Sequence, residues 1–190
     1  MSTPIIVIIM GRSGSGKGTQ AEFLQKEFDL KLIRASALIK ERGKNKDYTG
    51  VKLIETMEQG IFVPGPFVIS SLMKELERVQ EEGIGNGLIL DGIHRKLYEA
   101  YMVDEAFEWY QWDNVKVVNI DVSEEEVTRR LTKRGRSDDD AEGIKNRLRM
   151  YDENVRPVLE YYRKKGIRLD INGEQTQEEV YDEIKEKLGL

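Results

Sequence analysis

The sequence contains no cysteine and only one histidine among its 190 residues. Without thiols the chain can form no disulfide and no thiolate zinc site, and this composition fits a reducing compartment. Long apolar runs are also missing, because the run 5–10 is far shorter than the roughly 20 residues that a membrane-spanning helix needs. We therefore expect a cytoplasmic protein with no signal peptide and no membrane partner.

A basic excess is absent too, because 35 acidic residues outnumber 30 basic ones and the formal net charge is −5. A protein that neutralises a nucleic-acid backbone needs a strongly positive face, so no nucleic-acid partner is expected. A small phosphate-bearing ligand needs only a local basic cluster. With 39% hydrophobic and 34% charged residues, the composition is typical of a globular protein, and the length suits one domain with insertions.

Short β-branched apolar runs alternate with helical patterns along the chain, which is typical of a parallel sheet wrapped by crossover helices. These runs predict five buried strands, at 5–10, 31–35, 87–91, 115–122 and 166–171. We therefore expect an α/β fold of three layers, α/β/α, with a five-stranded parallel sheet.

Two pairs of residues have the spacing of a capping box, in which a hydroxyl and a carboxylate satisfy free backbone amides at a helix start. The pairs are Ser123 with Glu126 and Thr176 with Glu179. Helices are expected to begin at both. In the run 140–165 apolar residues step by three or four, but Pro157 lacks an amide donor and is predicted to kink or split that helix.

The region 36–82 does not alternate between strands and helices. It shows helical patterns at 38–43, 51–60 and 67–83. We predict that 36–82 is a helical insertion between the second and third strands of a single domain, 1–190.

The segment GRSGSGK, from Gly11 to Lys17, fits the pattern G-x-x-x-x-G-K directly after the first strand and before a helix. Glycines let the backbone curl so that successive amide hydrogens point inward. The helix N-terminus adds partial positive charge, and Lys17 adds a full one. We expect this loop, the P-loop, to hold the β- and γ-phosphates of a nucleotide. The alternative is a glycine-rich turn with an exposed lysine.

Gly18 follows the lysine where the general pattern has Ser or Thr, and the hydroxyl arrives one position later at Thr19. This variant, GKGTQ, resembles the nucleoside monophosphate kinase family, and adenylate kinases in particular, over essentially the whole chain. The resemblance implies a monomeric P-loop kinase that moves the γ-phosphoryl of Mg-ATP onto AMP, giving two ADP in a reversible reaction. The ATP-binding residues that it implies at the loops are Gly14, Ser15, Gly16, Lys17, Gly18, Thr19 and Gly173.

The segment GLILDG ends a buried strand on Asp91, at the carboxyl edge of the sheet. A carboxylate there can hold Mg²⁺ through water, so Thr19 and Asp91 are expected to order the metal of Mg-ATP. The alternative is that Asp91 is a turn residue.

The family reads GFLLDGFPR here, so Gly92 and Arg95 match, whereas His94 replaces a proline. We interpret His94 as an exposed loop residue.

Four arginines lie in the segment TRRLTKRGRSDDDAEGIKNRL, 128–148. Phosphoryl transfer between two nucleotides gathers many negative oxygens, and guanidiniums suit phosphate. The alternative is a surface charge run. The resemblance implies that Arg130 contacts the ATP adenine, that Arg134 contacts the ATP phosphates, and that Arg136 and Arg147 contact phosphates near the transfer site. The expected catalytic residues are Lys17, Arg95, Arg134, Arg136 and Arg147.

The lid that the resemblance implies, at about 133–141, is very short. The long form of the family carries a larger insertion here, sometimes with cysteine ligands for zinc, and this chain has neither. We expect no zinc and a small flap that excludes water when it closes.

The acceptor region departs most from the family pattern. The segment GIFVPGPFV, 60–68, matches the family's GxLVPDxxV and contributes Val63. Ala35 replaces the usual threonine, as it tends to be in uridylate–cytidylate kinases. Lys40 replaces the arginine that holds the acceptor phosphate, which keeps the charge but loses the bidentate geometry.

Glu99 stands four residues past Arg95, where the family usually has a glutamine that reads the adenine edge. A carboxylate only accepts hydrogen bonds, and guanine presents two adjacent donors, so hydrogen-bond logic favours guanine. The alternative is a solvated helix residue, with the base read by backbone. The acceptor-binding residues that the resemblance implies are Ala35, Lys40, Val63, Gly92, Arg95, Glu99, Arg136 and Arg147.

AMP is the expected acceptor, with GMP or UMP and CMP as alternatives. A second class is a switch that hydrolyses GTP, but its guanine-reading N-K-x-D motif is absent, since NKDY at 45–48 puts the aspartate one place early. A third interpretation is a phosphotransferase for a small hydroxyl-bearing metabolite. The matched arginines favour a phosphorylated acceptor instead.

Overall fold

The computed structural model describes residues 3–135 and 139–190. The strands are β1 Ile5–Gly11, β2 Lys31–Arg34, β3 Gly87–Asp91, β4 Val115–Asp121 and β5 Arg168–Asn172. They form one parallel sheet in the order β2-β3-β1-β4-β5. All five predicted strands are confirmed, with small differences at their ends.

The central strand β1 is apolar because both faces of the sheet are covered there. In β1, Ile6 and Ile8 belong to the hydrophobic cluster on one face, while Val7 and Ile9 belong to the cluster on the other. Successive side chains of a strand point to opposite faces, so an unbroken apolar run buries both. The predicted three-layer α/β/α fold is confirmed.

The helices of the described residues are α1 Lys17–Phe28, α2 Ala35–Gly43, α3 Tyr48–Glu58, α4 Gly65–Glu82, α5 Leu97–Trp109, α6 Glu124–Arg134, α7 Ala141–Met150, α8 Arg156–Lys164 and α9 Gln177–Leu188. Helices α2, α3, α4, α5 and α8 contribute to the cluster on the first face, and α1, α6, α7 and α9 to the second. Helices α2 to α4 follow one another between β2 and β3, as their patterns predict. In 3–135 and 139–190, no helix combines the length and apolarity that crossing a membrane requires.

The helical run 140–165 is split, as Pro157 predicts. After α7 the chain makes one π-helical turn, Tyr151–Val155, before α8 starts at Arg156. Pro157 is the second residue of α8, so its missing N–H lies where the hydrogen bonding changes from the π turn to the α-helix. Such π turns occur often at functional sites.

Helices begin at both predicted capping boxes, but the two starts differ. Thr176 and Glu179 accept each other's backbone amides, which completes the box. Ser123 accepts from the amide of Glu126, whereas its own amide donates to Glu174. The Glu126 carboxylate pairs instead with two arginines of α6, which lower the pKa of Glu126 to about 2. The reciprocal half of the first box is therefore lost to competing guanidiniums.

Candidate active site

A cavity of about 690 Å³ lies at the carboxyl edge of the sheet, between the P-loop and the ends of β2 and β3. Ligands of open α/β sheets bind at this edge. The sequence-predicted residues that line it are Gly14, Gly16, Lys17, Gly18, Thr19, Ala35, Asp91, Gly92, Arg95, Arg130, Arg134 and Arg147. The structure thus brings most of the candidates together.

The P-loop joins β1 to α1 through a tight bend. Gly14 and Gly16 have φ of +87° and +95°, in the left-handed region that favours glycine. The first bond of α1 runs from the amide of Gln20 to the carbonyl of Gly16 at 3.2 Å. The amides of Lys17 and the two residues after it therefore precede that bond and are the free donors of a helix N-terminus. This is the arrangement that binds phosphate.

Two groups of the P-loop bind the carbonyl of Arg12 rather than facing open cavity. The Lys17 ammonium donates to it at 2.6 Å, and the Ser15 amide donates to it at 3.1 Å. Ser15 is buried and is not among the residues that line the described cavity. Of the loop residues predicted to bind ATP, Ser15 is therefore the one that the structure places behind the loop.

Lys17 lies in an environment that opposes its own charge. Burial lowers the pKa of Lys17 to about 8 against the opposing effect of Asp91, and the guanidiniums of Arg95 and Arg134 add to the decrease. An anion in the cavity favours the charged form of the ammonium. The cluster is therefore a site that gains from binding negative oxygens.

Arg12 anchors the P-loop from behind and was missed by the sequence prediction. Its buried guanidinium donates to the Val122 carbonyl at 2.8 Å and lies 4.8 Å from the ring centroid of Tyr151. Glu124 and Asp152 lie 3.4 and 3.8 Å away and balance its charge. Arg12 thus ties the loop to the end of β4 and to the π turn. The pattern G-x-x-x-x-G-K leaves this position open, so it carries no signal.

Asp91 ends β3 beside Arg34, which ends β2 as its register partner. The Nε atom of Arg34 lies 3.5 Å from Oδ2 of Asp91, and Nη2 donates to the Gly18 carbonyl at 3.3 Å and to Glu22 at 2.8 Å. Arg34 lines the cavity but is not among the sequence candidates. A charged residue at the carboxyl end of a predicted parallel strand was the signal that could have found it.

Thr19 and Asp91 provide oxygen donors of the kind that Mg²⁺ prefers. Both line the cavity, and Oδ2 of Asp91 lies 3.9 Å from the position that a Cβ on Gly18 would take. The described residues contain no group of three or more His, Cys, Asp or Glu side chains suited to a metal. Mg²⁺ keeps several waters and takes phosphate oxygens as ligands, so one carboxylate and one hydroxyl fit that ion when nucleotide is present.

Asp139 joins the helices on either side of the predicted lid. Its fully buried carboxylate accepts two hydrogen bonds from Arg134, both 2.8 Å long, and one from Arg147 at 2.6 Å. Both arginines also line the cavity. Arg136 lies outside the described residues, so its contact with phosphate stays a prediction.

Arg130 and Gly173, both predicted to bind ATP, are in direct contact. Arg130 donates to the Gly173 carbonyl at 2.9 Å and to Glu126 at 2.7 Å. Gly173 is buried, and a Cβ there would overlap the side chains of Val122 and Ile120. Only Arg130 of the two lines the cavity.

Two predicted acceptor residues lie away from the cavity. Lys40 is exposed on α2, and Val63 is buried in the hydrophobic cluster between the sheet and helices α2 to α5. Neither is among the residues that line the described cavity, whereas Ala35 and Gly92 are. The structure does not bring the ammonium of Lys40 to the other cations.

Glu99 is buried at the start of α5, so the alternative of a solvated helix residue is wrong. Its Oε2 accepts from the amides of Arg95 at 2.8 Å and Lys96 at 3.1 Å. Burial raises the pKa of Glu99. A Cβ on Gly65 would overlap the side chains of Tyr98 and Glu99. Glu99 therefore shapes the turn that carries Arg95 and does not itself line the cavity.

His94 is buried, so the expectation of an exposed loop residue is wrong. Its ring packs edge-on against Tyr162, with centroids 5.9 Å apart, and neither ring nitrogen has a hydrogen-bond partner among the described residues. Burial lowers the pKa of His94 to about 4, although Asp104 opposes the decrease. The turn after β3 folds back onto the hydrophobic cluster, which is why this polar side chain is inside.

Comparison with known proteins gives consistent matches. The family model described as adenylate kinase matches residues 9–167. The chain is 34% identical over 183 residues to adenylate kinase 1 of Nostoc sp., and this match covers 96% of the chain and 98% of that protein. The adenylate kinase of Leptospira biflexa is 34% identical over 186 residues, with 96% and 98% covered. That of Thermus thermophilus is 33% identical over 189 residues, with 97% of each covered.

Proposed function

The chain belongs to the adenylate kinase family, and we propose that its P-loop cavity transfers the γ-phosphoryl group of ATP to AMP, reversibly, to give two ADP. The observation that carries this proposal is the convergence of the P-loop, Lys17, Arg95, Arg134 and Arg147 on one cavity. A site with this many cations suits a nucleoside triphosphate and a nucleoside monophosphate whose phosphates meet end to end.

The donor phosphates are held by the start of α1. The free amides of Lys17, Gly18 and Thr19 donate to β- and γ-phosphate oxygens, with Gly14 and Gly16 providing the bend. The Lys17 ammonium leaves the Arg12 carbonyl and binds the γ-phosphate. At the other end of ATP, Arg130 and its partner Gly173 border the adenine.

Arginines stabilise the charge that builds up on the transferring group. The Nε atom of Arg95 donates to the Gly92 carbonyl at 3.0 Å, and its guanidinium lies 4.6 Å from the Phe62 ring centroid, so its orientation is fixed before substrate binds. Arg134 and Arg147 share Asp139 and exchange part of that contact for phosphate oxygens. We assign Arg136 to the same group by its place in the motif.

No general base is required, because the attacking oxygen of the acceptor phosphate is already an anion. The bond between that oxygen and the γ-phosphorus forms as the bond from the γ-phosphorus to the β,γ-bridging oxygen breaks. Catalysis rests on positioning and electrostatic stabilisation. Mg²⁺, held through water by Thr19 and Asp91, supplies further positive charge at the phosphates when it is bound.

The helical insertion 36–82 and the short lid at about 133–141 are proposed to bind the acceptor and to cover the donor. AMP is the proposed acceptor, and GMP, or UMP and CMP, are the alternatives. The burial of Glu99 and its two amide contacts leave the base to be read by the groups that do line the cavity, such as Ala35 and the Gly92 backbone.

A coupled assay with ATP and a panel of AMP, GMP, CMP, UMP and dTMP tests this function. AMP is expected to give the fastest turnover. A preference for GMP would show that the acceptor base is guanine and not adenine. No turnover with any of the five would contradict the kinase assignment, and GTP hydrolysis without an acceptor would favour the switch.

We further propose that the enzyme acts as a cytoplasmic monomer on small nucleotides, without zinc and without nucleic-acid or membrane partners. The cysteine-free composition and the net charge of −5 support this proposal. Sedimentation equilibrium at micromolar concentration, where a single species near 22.0 kDa is expected, checks the oligomeric state.

A further inference from the structure

Arg34 is a cation inside the nucleotide cavity that the proposed mechanism does not yet use. It lines the cavity at the end of β2, whereas Lys40, to which the family pattern assigns the acceptor phosphate, is exposed on the next helix. An arginine also offers the planar fork that a phosphate dianion binds with two parallel hydrogen bonds. The bidentate geometry that Lys40 lacks is thus present at another position, on a side chain that lines the cavity.

We propose that Arg34 binds the phosphate of the acceptor nucleotide, in place of Lys40. This inference rests on the proposed phosphotransferase function and assigns its acceptor site a new residue. The substrate group involved is a nucleoside monophosphate, and the contact is independent of the base.

The order of the strands places Arg34 on the acceptor side. The sheet order is β2-β3-β1-β4-β5. In that order, the carboxyl edge carries Arg34 at the end of β2, Arg95 after β3, Lys17 after β1 and Arg130 on the helix after β4. Lys17 and Arg130 belong to the donor nucleotide. A row of cations that continues to β2 therefore continues past the transferring group, toward the acceptor.

The present contacts of Arg34 leave it able to bind a phosphate. Its Nη2 atom contacts the Gly18 carbonyl and Glu22, whose side chain is 61% exposed, and among the described residues Nη1 has no hydrogen-bond partner. Exposed ion pairs contribute little to stability, so exchange of Glu22 for a phosphate dianion costs little. The Gly18 carbonyl lies at the loop that holds the donor, which sets Arg34 between the two substrates.

A second role is possible for the same side chain. Because Nε lies 3.5 Å from Asp91, Arg34 could act only by positioning that carboxylate for the magnesium ion. The two roles predict different kinetics. Loss of a phosphate contact raises KM for the acceptor, whereas loss of a positioning contact changes the magnesium concentration needed for half-maximal rate.

The test compares Arg34→Ala, Arg34→Lys and Lys40→Ala, with Arg42→Ala as a matched control. Arg42 lies on α2, where it pairs with Asp47 on the surface. For each variant, KM is measured for AMP and for ATP, the magnesium dependence is recorded, and circular dichroism checks the fold. If AMP is not the preferred acceptor, the monophosphate chosen by the wild-type panel replaces it, because all acceptors carry the same phosphate.

We expect Arg34→Ala to raise KM for the acceptor about tenfold or more, the loss of one charge-assisted contact. KM for ATP and the magnesium dependence should stay within a factor of about two, and Arg34→Lys should recover part of the affinity. Lys40→Ala should affect KM less than Arg34→Ala, and Arg42→Ala should leave it unchanged.

The proposal is overturned if Arg34→Ala and Arg34→Lys keep the wild-type KM for the acceptor, or if Lys40→Ala raises it more than Arg34→Ala does. A change confined to the magnesium dependence would also overturn it and assign Arg34 the positioning role. Failure of the wild-type enzyme to use any monophosphate would instead contradict the proposed function, so the two failures are distinguishable.

Discussion

Lys17 is the side chain on which we expect phosphate binding to depend most. It shares the cavity with five of the described arginines, and its ammonium has only the Arg12 carbonyl as a hydrogen-bond partner among the described residues. Replacing it with alanine removes a full charge at the γ-phosphate but no part of either hydrophobic cluster. We expect Lys17→Ala to lower kcat by roughly 10²–10³ or more, with an unchanged circular dichroism spectrum. Unchanged turnover would contradict the assignment of the loop.

The lowered pKa of Lys17 predicts how ATP binding depends on pH. With a pKa of about 8 in the free enzyme, the ammonium is charged below that pH, and bound phosphate raises its pKa. ATP affinity is therefore expected to be constant below pH 8 and to fall as pH rises above it. Calorimetric titrations at pH 8 to 9 in two buffers should show proton uptake on binding. Lys17→Met, measured in parallel, should lose that uptake, and uptake that persists in the variant would contradict the prediction.

His94 makes a separate prediction about stability. The folded-state pKa of about 4 lies below the ordinary value of 6.5, so between these values the unfolded chain binds more protons than the folded one. This contribution to stability is fully present above pH 6.5 and is lost as pH falls toward 4. The depression corresponds to on the order of 3 kcal/mol.

Urea unfolding of the wild type and of His94→Phe, at several pH values from 4 to 7, measures this contribution. Phenylalanine keeps a ring against Tyr162 and cannot be protonated, so the variant should lose less stability on acidification. If the free energy of unfolding changes equally with pH in the two proteins, His94 does not contribute to the pH dependence of stability.

The site residues could be predicted where a local sequence feature, a strand end or the glycine-rich bend, fixes their position. Lys17, Asp91 and Arg95 follow strands or the glycine bend, and the structure places all three at the cavity. Glu99 and His94 could not be placed, because their burial depends on how the turn after β3 packs against distant segments. Long-range packing of this kind leaves no local pattern in the sequence.

At the scale of elements, the π turn Tyr151–Val155 connects α7 with α8, and Arg12 contacts it from the P-loop. We predict that Arg12→Met destabilises the protein by about 2 kcal/mol, because it removes a buried charged hydrogen bond and a cation–π contact while keeping apolar volume. Arg156→Ala, which removes an exposed pair with Asp152, should cost less than about 0.5 kcal/mol.

Urea unfolding of both variants gives the comparison, and equal losses would show that the Arg12 contacts add nothing beyond a surface ion pair. Arg12→Met should also lower kcat, since the loop and the turn behind the lid would no longer be tied. If the Arg12→Met variant is destabilised but fully active, Arg12 contributes to stability and not to catalysis.

The positions of helices and strands were predictable where the local sequence alone determines them. The central strands β1 and β3 are nearly continuous apolar runs buried on both faces, so their positions follow from the sequence. Pro157 indicated that a helix breaks, but not that a π turn forms, because that depends on the contacts of the preceding residues with the sheet. The start of α6 was predictable from Ser123. The hydrogen-bond partners of Glu126 were not, because its carboxylate binds two arginines of the same helix and not the Ser123 amide.

The whole molecule combines a net charge of −5 with a row of cations at one edge of its sheet. The sheet order brings together residues that are far apart in sequence, from the P-loop to the arginines that flank the lid. Composition alone indicated only that the phosphate site must be local. In the proposed function, the sheet order extends this site from the donor to the acceptor.

The most direct test is a crystal structure of the enzyme with a dinucleotide in which five phosphates join two adenosines. The account predicts that the amides of Lys17, Gly18 and Thr19 lie about 3 Å from phosphate oxygens, and that the Lys17 ammonium has moved from the Arg12 carbonyl to a phosphate. Phosphates bound elsewhere, or amides of the loop that face away from them, would contradict it.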